Sequence, residues 1–309
     1  MKKLSLIAAL VVCTPLMVLA QRGKVFETHT VKSAILKMDR RYSIYLPAGY
    51  DESDQSYPVL YLLHGSGDDH TGWVQFGQVQ HIADRVIAEG LAGPMVIVMP
   101  DANTGVRGYC NDIQGNFKYE DFFFNELIPH IEKTYRVRSE RRYRAVSGLS
   151  MGGDGTIFYA LHQPEVFAAA APLSASTEGW EVEQFKKMIS NSNWLDDLSA
   201  KQIEDYFIRN GLDGFSTKQI EDYFNRYCIE GIIKNASADD LKKIRSLRWY
   251  ISCGDDDSLS EANSMMHIIF RKNKIPHEYR VKDGGHTWTY WRMELPIVLE
   301  FVSKSFMQH

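Results

Sequence analysis

Apolar and polar positions change rhythm along this chain, and the changes mark its elements. From Lys24 to Leu46 they alternate, with many β-branched and aromatic residues, before stopping at Pro47. Alternation with period two predicts two or three half-buried strands, an antiparallel edge to a sheet. Beyond it, short continuous apolar runs appear at Val59–Leu63, Met95–Met99, Tyr143–Ser147, Ala168–Leu173 and Trp249–Cys253. Each is too short for a helix and reads as a strand buried on both faces. Between them Ile82–Glu89, Tyr119–Tyr135, Gly152–Leu161 and Ser260–Asn273 carry helical periodicity. Strands and helices in alternation predict one doubly wound α/β domain with a mostly parallel central sheet flanked by helices.

Between Thr177 and Arg248 that rhythm stops, and the composition turns polar, charged and helical. Lys201–Phe207 recurs as Lys218–Phe224 (KQIEDYF), seventeen positions on, with Ser199 and Ser216 each three residues before a glutamine. That spacing suits a capping box at a helix start. Residues 177–248 are expected to form an inserted helical subdomain, as surface decoration or as a lid over the mouth of the site.

The first twenty residues are a separate text. Lys2 and Lys3 precede an apolar run, Leu4 to Leu19, that ends in Ala20, as in a cleaved secretory signal peptide. The rivals are a membrane anchor, for which the run is short and broken by Pro15, and lipoprotein processing at Cys13. Export leaves residues 21–309 as the mature domain, secreted or periplasmic. Loss of the two lysines leaves 33 basic against 39 acidic residues, net −6, which argues against nucleic acid and against anionic membrane as partners. Three cysteines then remain, Cys110, Cys228 and Cys253. That odd, sparse count does not describe a disulfide-stapled scaffold; Cys253 reads as a small buried hydrophobe.

The candidate chemistry centres on Gly148-Leu-Ser-Met-Gly-Gly153, between a strand and a helix. A serine hydroxyl becomes a useful nucleophile when a sharp strand-to-helix turn lifts it clear of its own backbone, and such a turn needs small residues two before and two after. Ser150 is therefore the candidate nucleophile; the bland alternative is a Gly-rich turn with a capping serine. His286, on the Gly-rich loop Asp283–Trp288 after the strand His277–Val281, lies where the active sites of open α/β sheets form and is the candidate base. An acid should follow a strand between the two. Trp249–Cys253 is that strand, and its loop offers Asp255, Asp256 and Asp257, which spacing alone does not separate. An oxyanion hole needs two preorganised amides: Met151, next after the serine, and Ser66, in the glycine-bearing loop His64-Gly-Ser-Gly-Asp68. No cluster of metal ligands stands at a recognised spacing, so neither a metal nor an organic cofactor is expected.

Taken in order, Tyr57–Gly65 (YPVLYLLHG), Tyr119–Phe123 with Glu126-Leu127, the Gly148–Gly153 turn and Gly284–Trp288 with Tyr290-Trp291 resemble the putative-esterase family. That family includes the feruloyl and acetyl-xylan esterases of carbohydrate esterase family 1, and more distantly S-formylglutathione hydrolases and mycolyltransferases. The resemblance covers roughly residues 40–175 and 247–305. It implies an α/β-hydrolase fold and a Ser-Asp-His triad. It also implies that the acid is Asp257, last in the Gly-x-x-Asp loop, and that the second oxyanion amide follows the His-Gly pair, at Ser66. With export, it implies an acylated carbohydrate or other small ester as substrate, feruloyl or acetyl on a plant-type polysaccharide. Trp73, Asn103, Tyr109, Trp288 and Trp291 lie in loops expected to converge near the serine, where aromatic faces would suit a sugar or a phenolic ring; ordinary packing is their other reading. Two rival functions stand beside hydrolysis: acyl transfer to a sugar acceptor by the same triad, and a catalytically idle fold that binds carbohydrate. The 177–248 insertion departs from compact members and leaves the acyl pocket undefined.

Overall fold

The computed structural model describes residues 22–103, 108–112, 115–176, 222 and 225–307. The first twenty residues, both copies of the KQIEDYF repeat apart from Asp222, and most of the 177–248 insertion lie outside them.

Eight strands form one sheet: β1 Lys24–Ser33, β2 Met38–Leu46, β3 Val59–Leu63, β4 Val96–Pro100, β5 Arg144–Leu149, β6 Ala169–Leu173, β7 Arg248–Gly254 and β8 Glu278–Lys282. Their order is β1-β2-β4-β3-β5-β6-β7-β8. The alternating N-terminal segment makes an antiparallel pair, β1 with β2, joined antiparallel to β4. Every later pairing is parallel.

Why the central runs are apolar on both sides is visible in β3. All five of its residues are 0% exposed. Val59, Tyr61 and Leu63 point into one hydrophobic layer, and Leu60 and Leu62 into the other. Each of its valine and leucine side chains stabilises the fold by about 1.5–3 kcal/mol relative to leaving it exposed. The helices divide between the layers. Val79–Ala88 (α2, after the single turn α1 Gly72–Gln75) and the C-terminal Trp288–Met307 (α9) cover one face. The other face takes Tyr119–Phe122 (α3), Ile128–Thr134 (α4), Met151–His162 (α5), Ile229–Asn235 (α6), Ala238–Ser246 (α7) and Ser260–Lys272 (α8). The helices α6 and α7 are the described end of the insertion; Ser237 caps the second by accepting from Asp240 N at 3.1 Å. None of the described helices is long and apolar enough to cross a membrane.

The helix expected over Tyr119–Tyr135 differs in one respect. Its middle, Phe123–Leu127, is a π-helical turn between α3 and α4. Pro129 sits in the first turn of α4; it has no N–H to give the carbonyl four residues back, and its ring crowds that carbonyl, so the turn widens. Glu126, in this widened turn, accepts from the amides of Ala34 and Ile35 at 2.9 and 3.1 Å and from the Ser33 hydroxyl at 2.5 Å. The β1–β2 hairpin is thereby tied to the helix.

Candidate active site

At the carboxyl end of β5 the chain turns abruptly into α5, and Ser150 stands at the corner with φ 53° and ψ −121°. A non-glycine residue in that region is strained. The turn closes only because its flanks are bare. A Cβ on Gly148 would lie 2.4 Å from Gly152 O and 2.7 Å from Leu63 Cβ; one on Gly152 would lie 2.6 Å from Leu63 O and 2.7 Å from His64 O. Gly148→Ala is therefore expected to destabilise the protein by about 1–3 kcal/mol or more, the usual range for overpacking, as read from urea denaturation midpoints. A midpoint equal to wild type would show that the turn has room to spare. The corner is fastened to the sheet by Ser150 N, which donates to Leu173 O at 2.9 Å.

Facing the serine is the loop after β8. His286 Nε2 lies 3.0 Å from Ser150 Oγ, and His286 Nδ1 lies 2.9 Å from Asp257 Oδ2 and 3.1 Å from Oδ1. A carboxylate only accepts, so Nδ1 carries the hydrogen and Nε2 is left to accept from the serine hydroxyl. The three consecutive acids separate by environment. Asp257 is 2% exposed, and its Oδ1 also accepts from Leu259 N at 2.9 Å. Asp255 turns the other way, accepting from Gly284 N at 3.1 Å and so bracing the histidine loop. Asp256 is exposed. Gly254 and Gly284 are in close approach: a Cβ on Gly254 would sit 1.9 Å from Gly284 O. Only bare backbone lets these two loops meet.

Met151 and Ser66 carry the amides proposed for the oxyanion. Met151 opens α5, so its N–H has no acceptor one turn back within the helix. Ser66 is exposed in the loop after β3. Its neighbour Gly65 lies against the turn: a Cβ there would come within 3.6 Å of Ser150 Cβ.

Residues 33–220, more than half the chain, match the family model described as Putative esterase. The chain belongs to the putative-esterase family. It is similar to an endo-1,4-beta-xylanase/feruloyl esterase of Xylanibacter ruminicola, 37% identical over 146 residues, which are 44% of this chain and 19% of that protein. It also resembles an acetyl esterase of Caldicellulosiruptor saccharolyticus, 23% identical over 91% of this chain and 96% of that one. Among solved structures, a ferulic acid esterase superposes with a TM-score of 0.75 at 32% identity, covering 92% of this chain and 99% of that one. The chain spans only about a fifth to a quarter of the length of the first curated relatives it matches. The fold is that of the α/β-hydrolases.

In this esterase-family chain the five aromatic and polar residues expected to surround a substrate divide. Three are corrected to packing roles. Trp73 is 0% exposed, and its Nε1 donates to Leu63 O at 2.9 Å. Tyr109 is 1% exposed, with its hydroxyl bonded to the backbone of His64. Trp291 is 5% exposed; its ring meets His286 edge-on at 4.9 Å, and its Nε1 donates to Ser174 Oγ at 3.2 Å. Each ring can be buried in full because its one polar atom finds a partner there. The other two stay accessible: Asn103 is exposed and Trp288 half-buried.

Several neighbours have surroundings that the sequence did not disclose. Phe76, half exposed, lies with its ring 5.9 Å from that of Trp288. Burial, with the Asp257 carboxylate nearby, pushes the Cys253 thiol up to about 12, so it stays protonated at neutral pH. Asp255, Asp256 and Asp283, all exposed, bring carboxylate oxygens within 4.8 Å of one another, but consecutive acids on a polar loop gave no metal-ligand spacing to read. Asp101, 1% exposed at the end of β4, pairs with Arg40 at 3.1 Å and supports the adjoining turn by accepting from Asn103 N at 2.8 Å.

Proposed function

We propose that this chain is a serine carboxylesterase that hydrolyses acyl esters, feruloyl or acetyl, on plant-type polysaccharide or oligosaccharide through an acyl-enzyme. The observation that carries the reading is the unbroken contact from Ser150 Oγ to His286 Nε2 and from His286 Nδ1 to Asp257.

In the first half-reaction Ser150 Oγ attacks the ester carbonyl while His286 Nε2 takes its proton. Asp257 holds the ring and stabilises the imidazolium. The negative oxygen of the tetrahedral intermediate is met by the N–H groups of Met151 and Ser66, backed by the positive end of the α5 dipole. Collapse breaks the bond to the alcohol, which leaves with the proton from His286. Water then attacks the acyl-enzyme, His286 takes a proton from it, and the carboxylic acid departs as the proton returns to Ser150. Neither half-reaction calls for a metal or an organic cofactor.

Support for the substrate comes from the relatives' names, a feruloyl esterase and an acetyl esterase, and from the accessible aromatic pair Trp288 and Phe76, suited to a phenolic ring or a sugar face. An exported enzyme, as residues 1–20 suggest, would meet such polymers outside the cell. The test compares release of ferulate and of acetate from acylated xylo-oligosaccharides, with free sugar added as a competing acceptor. Free acid is expected from at least one substrate. Acyl sugar as the main product would replace this reading with a transferase, and inertness towards both substrates and towards a fluorophosphonate probe would leave only a binding role.

A further inference from the structure

His64 ends the apolar run of β3, yet every hydrogen-bonding group it owns is engaged. The residue is 1% exposed. Ala102 N donates to its Nε2 at 2.9 Å, so Nδ1 carries the hydrogen and donates to Gly65 O at 2.8 Å. Its own N–H donates to the Tyr109 hydroxyl at 2.8 Å, and that hydroxyl donates back to His64 O at 3.2 Å. Burial holds the imidazole below its ordinary value of 6.5, in keeping with a neutral ring that donates at one nitrogen and accepts at the other.

The consequence falls on the next peptide. Gly65 O also accepts from Asp68 N at 3.2 Å, while Leu63 O is held by Trp73 Nε1 at 2.9 Å. Three successive carbonyls, 63 to 65, are thus fixed from behind. A trans peptide is planar, with its C=O and N–H directed oppositely. Anchoring Gly65 O therefore sets the direction of Ser66 N–H. Gly65, pressed against Leu149 and Ser150, sets how far that N–H stands from the hydroxyl.

We infer that His64 and Tyr109 are positioning residues that aim the Ser66 amide at the developing oxyanion. The inference rests on the esterase reading above. Neither side chain touches substrate. Both hold in place, before the reaction, a dipole that water would otherwise have to reorient during it.

The test uses the full chain with p-nitrophenyl acetate, together with a phenylboronic acid, which forms a tetrahedral adduct on the serine and places an oxygen in the same hole. His64→Gln keeps an acceptor for Ala102 N and loses the donor to Gly65 O. Its kcat should fall by about 10- to 100-fold, less than or equal to the loss of a whole oxyanion donor. KM should stay within about twofold, since the interaction is made only in the transition state, and boronic acid affinity should weaken in step with kcat. His64→Asn places an amide nitrogen near the position of Nδ1 and should recover part of the loss. Should His64→Gln fail to fold, Tyr109→Phe, which keeps the ring packing, carries the test with the same signature.

A folded His64→Gln or Tyr109→Phe protein with wild-type kcat and boronic acid affinity overturns the inference, and so does an equal loss in His64→Asn and His64→Gln. Failure of the wild type itself to turn over the ester or bind the boronic acid would instead sink the esterase reading, and this inference with it.

Discussion

Ser150→Ala should abolish hydrolysis of a p-nitrophenyl ester, a loss of about a millionfold in kcat by comparison with removal of the serine from another hydrolase triad. The oxyanion amides and the binding surface would remain, leaving a residue of catalysis some 10³–10⁴ above water. The fold should survive. The hydroxyl's one side-chain contact described is with His286, and alanine keeps the Cβ, so the strain of φ 53° is neither added to nor relieved. Its melting temperature should therefore match wild type, and circular dichroism alongside the rate assay separates lost chemistry from lost structure. Wild-type-like turnover by a folded Ser150→Ala protein would rule out the nucleophile and the acyl-enzyme together. A fluorophosphonate probe should label the wild type and leave the variant unlabelled, which ties the loss to the oxygen removed.

That this serine could be singled out from sequence follows from the severity of its surroundings. Gly148 and Gly152 face carbonyl oxygens and a β-carbon at less than 2.8 Å from where a methyl would sit, so the turn leaves a mark in residue type. The central strands are legible for a similar reason: both faces of β3 are buried, and so no polar position interrupts the run. Legibility fails where the deciding fact is direction. Asp255, Asp256 and Asp257 are chemically alike, and only the backbone of their loop turns one towards His286 and another towards Gly284. Tyr109 and Trp73 fail similarly. In sequence an aromatic residue looks the same whether it waits for a ligand or closes over a backbone carbonyl. The π-helical turn at Phe123–Leu127 had a visible cause in Pro129, but a proline predicts disruption without saying what form it takes.

The most discriminating change is at the acid. Asp257→Asn is expected to lower kcat by about 10⁴-fold, the scale reported for the same change in the serine-protease triad. An amide at this position can offer Nδ2 to the ring, which favours the tautomer with its hydrogen on Nε2, and that tautomer cannot accept the serine proton. Even an asparagine that offers Oδ1 lacks the charge that stabilises the imidazolium, in a pocket where the side chain is 0% exposed and water cannot substitute. The neighbouring substitutions should be mild. Asp256 points into solvent, and Asp256→Asn should change kcat by no more than about twofold, as surface substitutions away from such features do. Asp255→Asn keeps an oxygen able to accept from Gly284 N, so the histidine loop should hold, with a loss of less than about tenfold for a weakened neutral bond. Measured side by side at neutral pH, the three variants should rank 257 far below 255, and 255 at or below 256. Equal losses would mean that the buried carboxylate is a structural member of its loop, and that the imidazole is oriented by something other than Asp257.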